Sequence, residues 1–212
     1  MRYYPVFLDI AGKPVVVVGG GEVALQKVTG LLDAGALVTV ISPELHPDLS
    51  TLVDQGRVSH IARQYAPGDL EGHFLAFVGT DDSSVNAVVS KEGRERGIWV
   101  NAVDDIPNCD FIMPGIAQRG DLILAVSTSA SSPAMARKMR EELEAFLTED
   151  YALMLELAAE VRRELRDRDV KVDPDTWNAA LNADLKRLLG DGRRDEAKQR
   201  LLRSLLEPAG ER

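Results

Sequence analysis

Four consecutive β-branched residues, Val15-Val16-Val17-Val18, precede three glycines, and behind the glycines apolar residues recur every three or four positions. An unbroken valine run suits a strand buried on both faces of a parallel sheet. The spacing of Val23, Lys27, Gly30, Leu31 and Ala34 predicts a helix from Glu22, with Gly35 at the position of a C-terminal cap. Leu37 to Ile41 then reads as a second strand. The alternation continues with strands near 58–62 and 74–78, a helix over about 83–96 ended by Gly97, and a strand at 98–103. Such alternation points to a doubly wound α/β sheet, in which ligands gather at the carboxyl ends of the strands.

After Pro107 the pattern changes. Residues 111–113 and 122–126 are short strand candidates, and the turn-like 117–121 between them makes a hairpin plausible as a unit. The polar run 127–132 leads into Pro133, whose fixed φ fits a first helical position behind a serine cap. The helix expected to about Leu147 carries Met135, Met139, Leu143 and Phe146, with Ala136 alongside, a stripe that needs a partner surface such as a second copy of the chain. Three further helical segments follow: 151 to about 166, one opened by Asp173-Pro174 and stopped at Gly190, and 195 to about 206.

Composition narrows the function classes. Of 212 residues, 45% are hydrophobic and 28% charged, which is ordinary for a folded soluble domain. The apolar stretches 14–21 and 122–126 fall far short of the ~20 residues a membrane span needs. The N-terminal residues lack the apolar core and small-residue cleavage site of a secretion signal, so a cytoplasmic protein is expected. A net charge of −9 argues against nucleic acid as a partner. One cysteine allows no internal disulfide, and His46, His60 and His73 are not spaced as metal ligands, so no metal site is expected.

Gly19-Gly20-Gly21-Glu22-Val23-Ala24 fits the G-x-G-x-x-G/A fingerprint, in which glycines permit a tight turn and close approach of a pyrophosphate to a helix N-terminus. It follows a strand and opens a helix, as the fingerprint requires, and so points to a Rossmann-type dinucleotide site. Gly19, Gly20, Gly21, Glu22 and Val23 are its first candidates. Ser42 and Pro43 end the second strand, and Thr80 and Asp81 follow the fourth. The second strand ends in Ser42-Pro43-Glu44, without the strand-end Asp or nearby Arg that would choose between NAD and NADP, and the residues leave that choice open. Asp104 stands just beyond the strand at 98–103. It is a candidate acid–base group with Asp105 as a charged neighbour, or else the pair simply begins the turn before Pro107. Arg119 and the hydroxyls of Ser127, Thr128 and Ser129 are candidates for holding an anionic substrate at a helix start. Arg137, Lys138 and Arg140 read as a solvated helix face, and Cys109 as a packed thiol.

The segments Pro5-Val6-Phe7-Leu8-Asp9, Val17 through Ala24, Lys27, Gly79-Thr80-Asp81-Asp82, Asn101-Ala102-Val103-Asp104, Phe111-Ile112-Met113-Pro114, Arg119-Gly120-Asp121-Leu122, Ala125 through Thr128 and Ser132-Pro133 together resemble the N-terminal module of siroheme synthase, the precorrin-2 dehydrogenase/sirohydrochlorin ferrochelatase family. The likeness covers about residues 1–147. It implies an NAD-binding Rossmann domain (1–112), a dimerisation region (113–147), a helical C-terminal module (148–212) and a homodimer. It also implies NAD as cofactor, Asp104 as the catalytic aspartate, precorrin-2 and sirohydrochlorin as tetrapyrrole ligands, and ferrous iron as a further substrate if the chain also chelates. Thr128 departs from the serine often found in relatives, and no motif in the C-terminal part separates chelating from non-chelating members. Two other readings compete. A Rossmann module that senses NAD redox state without catalysis would not need Asp104 or the region behind it. A hydroxy-acid dehydrogenase would need a histidine paired with a carboxylate.

Overall fold

The computed structural model describes residues 2–80 and 82–207. The chain divides into two compact units, Met1–Met113 and Pro114–Arg212.

The first unit alternates strands and helices: β1 (Pro14–Val18), α1 (Glu22–Asp33), β2 (Leu37–Ile41), α2 (Pro47–Asp54), β3 (Val58–Ile61), β4 (Leu75–Val78), α3 (Ser83–Arg96) and β5 (Trp99–Ala102), then a single 3-10 turn at Ile106–Asn108. The five strands are parallel in the order β3-β2-β1-β4-β5, the doubly wound α/β arrangement that the alternation predicts. The order reverses between β1 and β4, which places a crevice at their carboxyl ends. The valine run explains itself in this setting. Val15 and Val17 face a core built with Ala24, Val28 and Leu31 of α1 and Leu49 of α2, whereas Val16 and Val18 face Val89 of α3, Ile98 and Val100. The buried stripe of α1 is Ala24-Val28-Leu31: Leu31 is buried as expected, whereas Val23 and Lys27 flank the stripe and Gly30 is exposed.

The connection from β3 to β4 has no helix. Glu92 of α3 holds it instead: the Tyr65 hydroxyl and the Gly68 amide (2.9 Å) both donate to Oε2, and the Leu70 amide donates to Oε1 (3.4 Å). Arg96 completes the knot, its Nε 2.8 Å from Glu92 Oε1. Helix α2 was not expected from the pattern. Its start is nevertheless well made, with the His46 ring accepting from the Asp48 amide and Pro47 in the first turn.

The second unit opens with the antiparallel hairpin β6 (Gly115–Arg119) and β7 (Leu122–Val126), followed by α4 (Pro133–Phe146), α5 (Glu149–Asp167), α6 (Pro174–Ala180), α7 (Ala183–Gly190) and α8 (Arg194–Leu206). The hairpin corrects the expected register. Residues 111–113 form no strand, because Phe111 leans edge-on against Phe77 (5.5 Å between ring centroids) and its carbonyl accepts from the Asn101 amide (2.9 Å). The turn is tighter than 117–121, with Gly120 at φ +55°. Leu157, Val161 and Leu165 of α5 form a core with Leu185, Leu188 and Leu189 of α7 and Leu201 and Leu205 of α8. The single helix expected between Pro174 and Gly190 is two, since the Asn182 side chain accepts from the Asp184 and Leu185 amides and so starts α7 afresh. No helix among the described residues is long and apolar enough to cross a membrane.

Candidate functional site

The carboxyl ends of β1 and β4 meet through glycine. Gly19 has φ +116°, and a Cβ built on it would lie 2.7 Å from the Gly79 carbonyl oxygen. Gly20 is crowded from the other side, where a Cβ would stand 2.0 Å from the Glu44 carbonyl oxygen and 2.7 Å from Ser42 Oγ. The loop after β2 thus lies directly on the glycine turn. It is fastened there by the His46 amide donating to the Gly20 carbonyl at 2.7 Å, next to the Gly19 amide donating to Ile41 at 2.9 Å.

Gly21 differs from both. It is the N-cap of α1, no side chain among the described residues caps that helix start, and a Cβ built on it meets nothing within 4 Å. The first amides of α1 therefore face an open space that a side chain would begin to fill, at the positive end of the helix dipole. These residues fit the pyrophosphate of a dinucleotide.

Around that space, Glu22 is exposed with Oε2 3.3 Å from His46 Nε2. His46 Nδ1 accepts from Asp48, so the ring proton sits on Nε2 and points at Glu22. Val23 closes over Gly79, its Cγ1 3.2 Å from where a Cβ on that glycine would be. Ser42 is buried, and its carbonyl accepts from His60 Nε2 at 2.9 Å. Pro43 and Glu44 are exposed. Thr80 Oγ1 accepts from the Asp82 amide at 3.2 Å. Asp81 lies outside the described residues.

Asp104 follows β5 on the same edge of the sheet, exposed and with a left-handed backbone at φ +58°. Asp105 has a different job. Its Oδ2 accepts from the side-chain amides of Asn86 (3.3 Å) and Asn108 (2.9 Å), which anchors the loop, whereas Asp104 has no such partners among the described residues. Cys109 Sγ donates to the Ala102 carbonyl at 3.0 Å, and burial pushes its thiol above the ordinary range, as suits a packed side chain. Lys27, one turn along α1 from Val23, is partly buried and has no hydrogen bond or ion pair among the described residues. Burial lowers its pKa, an effect that the charge of Asp104 partly offsets.

The remaining candidates belong to the second unit. Arg119 ends β6, exposed, its Nη1 donating to the Gln118 carbonyl at 2.8 Å. Ser127 Oγ accepts from the Ser129 amide (3.1 Å), while Thr128 Oγ1 donates to the Ser132 carbonyl (3.0 Å) and accepts from the Ser132 amide (3.2 Å). Ser129 and Ala130 are both left-handed, with φ +54° and +64°. Thr128 is thus committed to shaping its own loop, and Ser132 caps α4 through the Met135 amide. Arg140 pairs with Glu144 and Lys138 with Glu142, the solvated helix face that the sequence predicts.

Two contributors escape sequence reasoning. His46 acts through its backbone amide, which no side-chain pattern reveals. Lys27 is among the residues that carry the family likeness, but its spacing gives it no role beyond one more helical position.

Residues 6–115 match a family model described as "Putative NAD(P)-binding". Among curated proteins the chain is similar to the "Siroheme synthase" of Methylobacillus flagellatus, 42% identical over 168 residues that make up 79% of this chain and 36% of that one. It is also similar to "Siroheme synthase 1" of Serratia proteamaculans, 38% identical over 207 residues, 97% of this chain and 44% of that one. The chain therefore spans less than half the length of the curated relatives it matches. A solved structure described as "SirC, precorrin-2 dehydrogenase" superposes with a TM-score of 0.72 at 25% identity, covering 96% of this chain and 98% of that one.

Proposed function

The chain belongs to the NAD(P)-binding family of the siroheme synthase N-terminal module, and from that premise we propose that it is an NAD-dependent precorrin-2 dehydrogenase whose product is sirohydrochlorin. The observation that carries the reading is Asp104, an exposed carboxylate on the edge of the sheet that also holds the uncapped helix start at Gly21.

The reaction removes two electrons and two protons' worth of hydrogen from the reduced tetrapyrrole, one as hydride and one as a proton. A nicotinamide cofactor held by its pyrophosphate at the glycine turn would supply the hydride acceptor. The chain's own residues do the rest. Gly19 and Gly20 keep the turn tight, the amides at the start of α1 receive the pyrophosphate, and Asp104 accepts the proton at its carboxylate as conjugation extends. NAD is preferred to NADP because the exposed carboxylates Glu22 and Glu44 flank the end of β2, where a 2′-phosphate would meet like charge. Arg119, Ser127, Thr128 and Ser129 serve the carboxylates of the macrocycle, Thr128 by shaping the loop. A homodimer is part of the proposal, supported by α4, none of whose described residues is buried although Met135 is 47% and Phe146 59% exposed.

The test is an anaerobic assay with enzymatically generated precorrin-2 and NAD, following NADH and sirohydrochlorin absorbance together. Asp104→Asn is the better variant, since Asn tolerates the left-handed backbone that Asp104 adopts. Turnover should fall by a factor of about 100 or more with NAD affinity unchanged. Full activity in Asp104→Asn would remove Asp104 from the chemistry, and NAD binding without any turnover in wild type would favour a redox sensor. Ferrous iron added after the first step separates a dehydrogenase alone from one that also makes siroheme.

A further inference from the structure

We infer that Lys27 is the cation that receives a carboxylate of the tetrapyrrole beside Asp104, and so fixes which part of the macrocycle faces the proton acceptor. The inference rests on the dehydrogenase reading and names a contact that reading leaves unassigned.

The argument starts from helix geometry. Helix α1 buries Ala24, Val28 and Leu31 against the sheet. Val23 and Lys27, four residues apart, lie on one flank of that stripe. Val23 shows which way the flank faces, for it lies against Gly79 at the end of β4. Beyond β4 comes β5, and the loop after β5 carries Asp104. A long helical side chain points back toward the helix N-terminus, so the Lys27 stem runs up toward the carboxyl edge of the sheet, where both the glycine turn and Asp104 lie. Lys27 is partly buried, yet no carboxylate among the described residues pairs with it. Asp104 is close enough to act on it through charge, which agrees with that placement.

A cation held this way is costly to the fold and useful to an anionic ligand. Elsewhere two long cations of α8 are satisfied by carboxylates of α5: Lys198 reaches Glu160 at 2.7 Å and Glu164 at 3.1 Å, and Arg194 reaches Glu160 at 2.6 Å. Among the described residues Lys27 has no such pairing beside the proposed proton acceptor. A carboxylate of the macrocycle arriving there regains for the ammonium the hydrogen bonds it gave up, and sets the reacting carbon at a fixed distance from Asp104.

The experiment titrates sirohydrochlorin anaerobically into the full chain without cofactor, following quenching of tryptophan fluorescence, for wild type, Lys27→Gln, Lys27→Arg and Lys27→Met. Lys27→Gln should bind about tenfold more weakly, and Lys27→Arg should retain affinity within about threefold. In turnover the loss should appear in KM for precorrin-2 more than in kcat. NAD affinity should stay at the wild-type value, and Lys27→Met should melt at or above the wild-type temperature. Equal sirohydrochlorin affinity in wild type and Lys27→Gln overturns the inference and leaves the dehydrogenase reading standing. A loss of NAD affinity in Lys27→Gln overturns it too, by assigning the ammonium to a cofactor phosphate. A marked fall in melting temperature for Lys27→Met, with Lys27→Arg no better than Lys27→Gln, makes the residue structural. Failure of wild type to bind sirohydrochlorin at all takes down both readings together.

Discussion

Gly20 and Gly21 are neighbours whose missing side chains answer to different neighbours, and substitution should separate them. A methyl at Gly20 would strike the Glu44 carbonyl, a backbone atom that cannot rotate away, so Gly20→Ala should cost about 3 kcal/mol in urea unfolding as the loop after β2 is forced off the turn. A methyl at Gly21 meets nothing within 4 Å among the described residues, so Gly21→Ala should change stability by only about 0.5 kcal/mol while weakening NAD binding severalfold in a fluorescence titration. Equal behaviour of the two variants would give both glycines the same role. The glycine spacing itself was legible in the sequence, because a strand before it and a helix after it leave few alternatives. Which glycine answers to the protein and which to the ligand was not, since the contact that decides it comes from Glu44, more than twenty positions away. Asp104 was legible only as an acidic residue after a strand. Its division of labour with Asp105 depends on Asn86 and Asn108, side chains with no pattern of their own.

Among the elements, the connection between β3 and β4 depends most on a single side chain. Burial alone would raise the Glu92 pKa, but the Tyr65 hydroxyl, the Gly68 and Leu70 amides and the Arg96 guanidinium outweigh it and hold the carboxyl below its ordinary 4.5. Asp69 is lowered as well, chiefly by its hydrogen bond from Arg63. A carboxyl with a depressed folded-state pKa stabilises the fold above its unfolded value, and the contribution disappears as pH falls through the folded one. Urea midpoints should therefore hold steady at neutral pH and drop on acidification below about 4.5. Glu92→Gln, which keeps the shape and loses the charge, should cost about 2 kcal/mol at neutral pH and flatten that acid limb. An unchanged acid limb would assign the loss to other carboxylates. The core strands and α3 were readable from periodicity and caps. Helix α2 was not, at eight residues too short to display a period, and the break before α7 hid because Asn182 sits inside an otherwise helical stretch. The misplaced hairpin has the same origin: residues 111–113 have strand composition, but Phe77 and Asn101 claim Phe111 for the first unit.

For the whole molecule, 34 acidic against 25 basic residues keep the surface anionic, so association must rest on apolar patches rather than on charge. The outward face of the β6–β7 hairpin offers Ile116 and Ile123, 42% and 38% exposed, in the same unit as the exposed Met135 and Phe146 of α4. Light scattering at micromolar concentration should give a dimer mass for wild type and a monomer for Ile123→Glu, with far-UV circular dichroism unchanged; a wild-type monomer would end the dimer proposal. The fastening of residues 42–46 onto the glycine turn reaches further, into how such a protein can be re-engineered. Conversion to NADP usage by swapping one or two residues behind β2 should fail, because the Glu44 carbonyl lies against Gly20 and the His46 amide is hydrogen-bonded to it. The turn and the loop form one transplantable cassette, residues 19–46, and a change of coenzyme has to exchange it whole.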